Sequence, residues 1–226
     1  MAYVGAGTAL NNAGSTTHTY TVPAGVTTSH VCILYFAIST GTATTSSVGS
    51  LPGGAVATAI YTLTAVGAGE SSALYKITGL NAGDTFVITH SVSRQTAAQL
   101  WYFTNDFDVP SAYALYSRPG SQATTVPTGG TCSAGQKIWT FATERTTTTG
   151  TTVSSIVNGN GRTVTTDYYS DLAGLTNISF LVAEAVETGT TAAATTITYS
   201  DAGTSGMGIQ VPELVSGPKV RPFDCG

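Results

Sequence analysis

Turn residues set the strongest constraint on this chain. Gly, Pro, Asn and Ser clusters interrupt it at short intervals, and no stretch between them carries an apolar stripe at helical period. What recurs instead are short runs that alternate or are apolar on both faces. Thr16 to Val22 alternates and stops at Pro23-Ala24-Gly25. Val31 to Ile38 is apolar throughout, the pattern of a strand covered on both faces. Ile60 to Thr64, Ala73 to Ile77, Thr85 to Val92, Ala98 to Phe103 and Tyr113 to Tyr116 follow. Lys137 to Ala142, Val153 to Val157, Val164 to Tyr169, Ile178 to Val186 and Thr195 to Ser200 complete the series. Asn81-Ala82-Gly83-Asp84 reads as a turn, and Asn158-Gly159 with Asn160-Gly161 supplies the positive-φ residues of a hairpin. Roughly ten to twelve short strands at such spacing predict an all-β sandwich or barrel.

The series repeats. HVCILYFAISTGTATTSSV (30–48) aligns with QKIWTFATERTTTTGTTVSS (136–155), SALYKI (72–77) with SFLVAE (179–184), and FVITHS (86–91) with TTITYS (195–200), at an offset drifting from about 105 to about 109 residues. The expectation is an all-β, jelly-roll-like β-sandwich of two similar Greek-key halves, with pseudo-repeats at about 16–104 and 113–200 in one domain over 1–214. Two tandem small sandwiches are the alternative. Residues 215–226, with two prolines and two basic residues, read as an extended C-terminal tail, anchored by Phe223 if it docks.

Composition narrows the function. Only 9% of the 226 residues are charged and about one in five is Thr, so the polar surface is built of hydroxyls and Gly. Hydrophobic content of 42% provides a core, which sets the chain apart from disordered ones. Eight scattered basic residues and a net charge of −4 lack the clustered Lys and Arg of a nucleic-acid footprint. The Val31 to Ile38 run is too short to cross a bilayer as a helix, so no membrane insertion is expected. The start lacks a basic and apolar leader, and three widely spaced cysteines make no disulfide framework. Both point to assembly in a reducing cytoplasm.

Site chemistry is sparse. His18, His30 and His90 form no metal-binding spacing, and His90 is expected as a core imidazole inside its strand. Asn105-Asp106-Phe107-Asp108 is the one tight acidic cluster, expected as a solvated turn because it lacks the Gly and distal Glu of a calcium loop. Glu184 and Glu187 need not face each other. No GxSxG elbow or phosphate-cradling Gly motif occurs, and Cys32 reads as a small core residue. No catalytic residue, metal ligand or cofactor is expected, and the chain is read as a non-enzyme. The aromatic clusters are different. Neighbours in a strand point to opposite faces, so Trp101, Trp139, Tyr168, Tyr169 and Phe223 are candidate contacts for a subunit interface or a glycan.

Four segments, TYTVPAGVTTSHVCILYFAIS (19–39), SSALYKITGLNAGDTFVITHS (71–91), AAQLWYFTNDFDV (97–109) and QKIWTFATERT (136–146), together resemble a family of bacteriophage structural proteins, the minor tail proteins of phages of actinobacteria. Ser29-His30 departs from the Gly-Asp that the family often carries before the apolar strand. The resemblance implies a jelly-roll-like β domain on the outside of a virion. The expected partners are other virion proteins, further copies of the chain in a homo-oligomer of three or more, and, from the aromatic clusters, a host-surface glycan. A capsid decoration protein and a carbohydrate-binding module or adhesin domain are the alternatives.

Overall fold

The protein's structure, a computed structural model, describes residues 3–39, 44–66, 70–109, 116–118, 123–126, 132–145, 152–158, 162–163, 165–172, 178–200 and 205–214. All regular structure among them is β. The first half holds β1 (Tyr3–Ala6), β2 (Leu10–Thr21), β3 (Val31–Ser39), β4 (Ser46–Gly49), β5 (Val56–Val66), β6 (Glu70–Thr78) and β7 (Thr85–Phe103). The second holds β8 (Tyr116–Arg118), β9 (Ala123–Val126), β10 (Lys137–Arg145), β11 (Val153–Asn158), β12 (Arg162–Thr163), β13 (Thr165–Leu172), β14 (Ile178–Val186), β15 (Thr195–Tyr199) and β16 (Ser205–Pro212). The all-β sandwich expectation holds.

Strand order repeats between the halves. The large sheet of the first half runs β1-β7-β3-β6-β5, and that of the second runs β8-β16-β10-β14-β13. The smaller set is β2 and β4 on either side of β7 in the first half, and β9-β15-β11-β12 in the second. Every ladder is antiparallel. Two segments that read as separate strands, Thr85 to Val92 and Ala98 to Phe103, form the single strand β7. Its N-terminal part pairs with β4 and its C-terminal part with β3, so it serves both layers. The second half divides the same work between β15 and β16. Burial along β7 alternates up to His90, lapses from Ser91 to Gln95, and resumes at Thr96. The lapse marks where the strand passes from one layer to the other, with register shifts opposite it in β2.

Three apolar layers follow from this order. Cys32, Leu34 and Phe36 of β3 meet Tyr20, Phe86 and Ile88 inside the first half. Ala142, Leu181 and Ala183 meet Ile156, Ile197 and Tyr199 inside the second. Between the two large sheets, Ile33, Tyr35, Trp101 and Phe103 pack on Trp139, Phe141, Phe180 and Val182. The uninterrupted apolar run of β3 is thus explained: its even residues face one layer and its odd residues another.

The faces also correct the alignment of the halves. An offset of 105, which sets Ile33 on Ile138 and Leu34 on Trp139, is one residue out, as is the pairing of SALYKI with SFLVAE, which sets interior Ala73 on Phe180 of the seam. Ile33 faces the layer between the halves and Ile138 does not, whereas Trp139 does. Ile33 and Tyr35 correspond to Trp139 and Phe141. A strand has period two, so a slip of one residue exchanges its faces, and apolar identity alone cannot detect the slip when both faces are buried. The pairing of FVITHS with TTITYS keeps its faces, since Ile88 and Ile197 are each interior.

Candidate functional site

The seam between the halves gathers two of the five aromatics singled out by sequence, Trp101 and Trp139. Trp101 and Trp139 are each 1% exposed. The expectation that they contact a glycan or another subunit is therefore corrected: both are core residues, because the strand faces that carry them are covered by the opposite half. Trp101 lies 5.6 Å from Phe141, and Phe103 meets Trp139 edge to face. Tyr61 donates to Tyr35 Oη at 2.7 Å, and Tyr35 reaches Thr143 Oγ1 of the second half at 3.4 Å. The backbones of Tyr168 and Tyr169 belong to β13, opposite Val182 and Leu181, but their side chains lie outside the described residues. Phe223 and the whole tail 215–226 also lie outside them, as do Tyr113 to Leu115 of a predicted strand.

The Asn105-Asp106-Phe107-Asp108 segment is a clasp rather than a free turn. Phe107 is 1% exposed and packs edge to face on both Phe103 and Trp139. It bridges to Glu213, where the Asp108 amide donates to the Pro212 carbonyl at 2.9 Å and the Leu214 amide to Asp106 at 2.8 Å. Asp106 pairs with Lys76 at 2.6 Å. The Glu213 carboxylate accepts from Trp139 Nε1 at 3.1 Å and from Asn105 Nδ2. The apolar anchor inside this tetrapeptide outweighs the solvation of its three polar neighbours.

Glu184 and Glu187 engage different partners. Glu184 pairs with Lys137 at 2.9 Å on the surface side, while Glu187 is buried and accepts from Asn158 Nδ2 at 3.1 Å. Cys32 is fully buried, and desolvation pushes its thiol up to about 12. No group of three or more metal-ligating side chains occurs among the described residues. Among them, too, no helix is long and apolar enough to cross a membrane.

One polar cluster escaped the sequence reading. His90 is buried, as expected, but so is His18 on the neighbouring strand, and the two rings lie 5.3 Å apart. His90 Nδ1 bonds Ser46 Oγ at 2.8 Å and its Nε2 bonds Thr96 Oγ1 at 2.7 Å. His18 Nε2 lies 3.1 Å from the Arg94 carbonyl; a carbonyl only accepts, so this nitrogen carries the hydrogen. Desolvation first, and the neighbouring His18 second, lower the His90 pKa to about 4. The signal was available in principle: His18 and His90 both occupy apolar-face positions of strands, but only the β2–β7 register brings them together.

Compared with protein-family models, with curated proteins and with solved structures, the chain has no match in any of the three.

Proposed function

We infer that this chain is a structural component of a bacteriophage virion, exposed on the particle and assembled in the host cytoplasm, with a minor tail protein as the specific reading. The jelly-roll-like form expected of the two Greek-key halves stays part of this reading. The observation that carries the proposal is the duplication itself. One two-sheet module occurs twice with the same strand order, and the copies are joined by an aromatic layer between their large sheets. The unit's two copies share one buried layer. The remaining surface draws on a composition with few ions to desolvate, which suits packing in many copies against other virion proteins. The resemblance of residues 19–39, 71–91, 97–109 and 136–146 to the tail-protein family points the same way.

The partners proposed are other virion proteins and further copies of the chain, three or more together. With Trp101 and Trp139 in the core, a host-surface glycan would have to be held elsewhere.

Purified particles provide the test. Mass spectrometry should find the chain in stoichiometric amount, and immunogold labelling should place it on the tail. Label on the head would replace the tail reading with capsid decoration. Absence of the chain from purified particles overturns the proposal.

A further inference from the structure

The histidine cluster sits beside the stretch of β7 where burial lapses. The C-terminal part of β2, the N-terminal part of β7 and the short strand β4 form a narrow sheet over the first half's interior. Two of its ties to the stretch where β7 enters the large sheet pass through this polar shell, His18 to the Arg94 carbonyl and His90 to Thr96, while Ser46 holds His90 from within the narrow sheet. Ser46 is on β4, His18 on β2 and His90 on β7, while Thr96 and the Arg94 carbonyl lie at and just before the point where β7 enters the large sheet.

The surroundings of the two rings are neutral. Phe36 of β3 stands 6.0 Å from the His90 ring. Tyr75 of β6 stacks on Phe36 and donates its hydroxyl to the Ser46 carbonyl at 3.5 Å. The Arg94 guanidinium donates to the exposed Ser93 carbonyl. No carboxylate among the described residues is hydrogen-bonded to either ring. A proton gained by His90 would not cost hydrogen bonds, because both hydroxyl partners can turn to accept. It would place an uncompensated cation in a desolvated shell opposite a second imidazole, and such a charge is costly to bury.

We propose that the His18–His90 pair is an acid-operated latch: on acidification the β2–β7–β4 sheet lifts from the first sandwich while the second sandwich stays closed. The duplication provides an internal control. Tyr199 of β15 stands at the position corresponding to His90, interior and in the same strand context, and it gains no charge on acidification. The inference stands on the cluster's geometry and does not depend on the virion reading.

Hydrogen exchange followed by mass spectrometry, corrected for intrinsic rates, tests it between pH 7 and pH 3.5. Protection of segments 17–21 and 46–49 should fall by up to about tenfold per pH unit, the limit for uptake of one proton. Segments 137–145 and 178–186 should keep theirs. Parallel loss in the two halves, or no loss in the first, overturns the proposal. The His90→Gln variant keeps a donor and an acceptor but cannot charge, so its first half should hold its protection at low pH; loss as in the parent also overturns it. Should that variant fail to fold, imidazole C–H shifts of the unmodified protein decide. His90 titrating together with the exchange change supports the latch, and titration without any change refutes it.

Discussion

Phe103, the last residue of β7, meets Trp139 of β10 edge to face, with ring centroids 5.0 Å apart at 73°. One ring comes from each half, so this contact crosses the seam between them. Phe107 closes on Phe103 at 4.9 Å, which brings the chain leaving β7 into the same layer. Aromatic pairs in this geometry contribute about 0.5–1.5 kcal/mol each beyond the area they bury.

Truncating either tryptophan should therefore unsettle both halves. Trp101→Ala and Trp139→Ala are each expected to lose about 3–5 kcal/mol in equilibrium urea unfolding. A loss under about 1 kcal/mol would contradict their place in the core. Trp139→Phe separates packing from polarity, since it keeps a ring but leaves Glu213 without the indole donor. A smaller loss, about 1–2 kcal/mol, is expected there.

The clasp makes a distinct prediction. Glu213→Ala removes the acceptor shared by Trp139 and Asn105. The stranded indole N–H should cost about 1–3 kcal/mol. Glu213→Gln keeps one acceptor oxygen and should recover part of that loss. Equal losses for the two variants would show that the carboxylate's hydrogen bonds are not what matters.

Stability should depend on pH through His90. Its folded pKa of about 4 lies below the ordinary 6.5, so the unfolded chain binds this proton first as pH falls. The contribution is complete above about pH 6.5 and is lost progressively as pH falls towards about 4. Allowing for partial solvent screening, the loss is on the order of 1–2 kcal/mol. Urea midpoints compared at pH 7 and pH 4.5 for the parent and His90→Gln should show the smaller decline in the variant. An identical decline would assign the acid sensitivity to other groups.

Thiol labelling offers an inexpensive check on the layers. Cys32 is interior and Cys132 only partly buried, and desolvation raises the pKa of both thiols. Under native conditions iodoacetamide should modify Cys132 and leave Cys32 untouched until the protein unfolds. Peptide mapping that found Cys32 labelled at a comparable rate would refute the two-sided burial of β3.

Two turn glycines should respond differently to Ala. Gly79 has φ of +80° and its added Cβ would lie 2.8 Å from the Gly54 carbonyl oxygen, so Gly79→Ala should cost more than about 2 kcal/mol. Gly83 has φ of +83° but open space around it, so only the backbone strain, about 1 kcal/mol, is expected. Thermal unfolding of the two variants would test the ranking.

Local pattern was enough to read the β class, the turn at 81–84 and most strand cores. Ile178–Val186 has the bounds of its apolar run, and Val31–Ser39 exceeds its run by one residue. These features follow from side-chain type and period two, which act over a few residues. β1, β4, β9, β12 and β16 were not legible, because short or Gly-rich segments have too little pattern to separate them from loops. The continuity of β7 was also hidden: its middle, Ser93 to Gln95, is polar where the strand changes layers, and polarity alone reads as a break.

The sequence by itself determined that this chain is β throughout, that its strand series runs twice, and that its interior needs little charge. Tertiary structure alone decided which face of each strand is which. It placed Trp101 and Trp139 in the seam, made Asn105 to Asp108 a clasp, and brought His18 to His90. Those outcomes depend on ladder register and on what covers a sheet's second face. Both are set by contacts between residues far apart in the chain, and no local run of side chains encodes them.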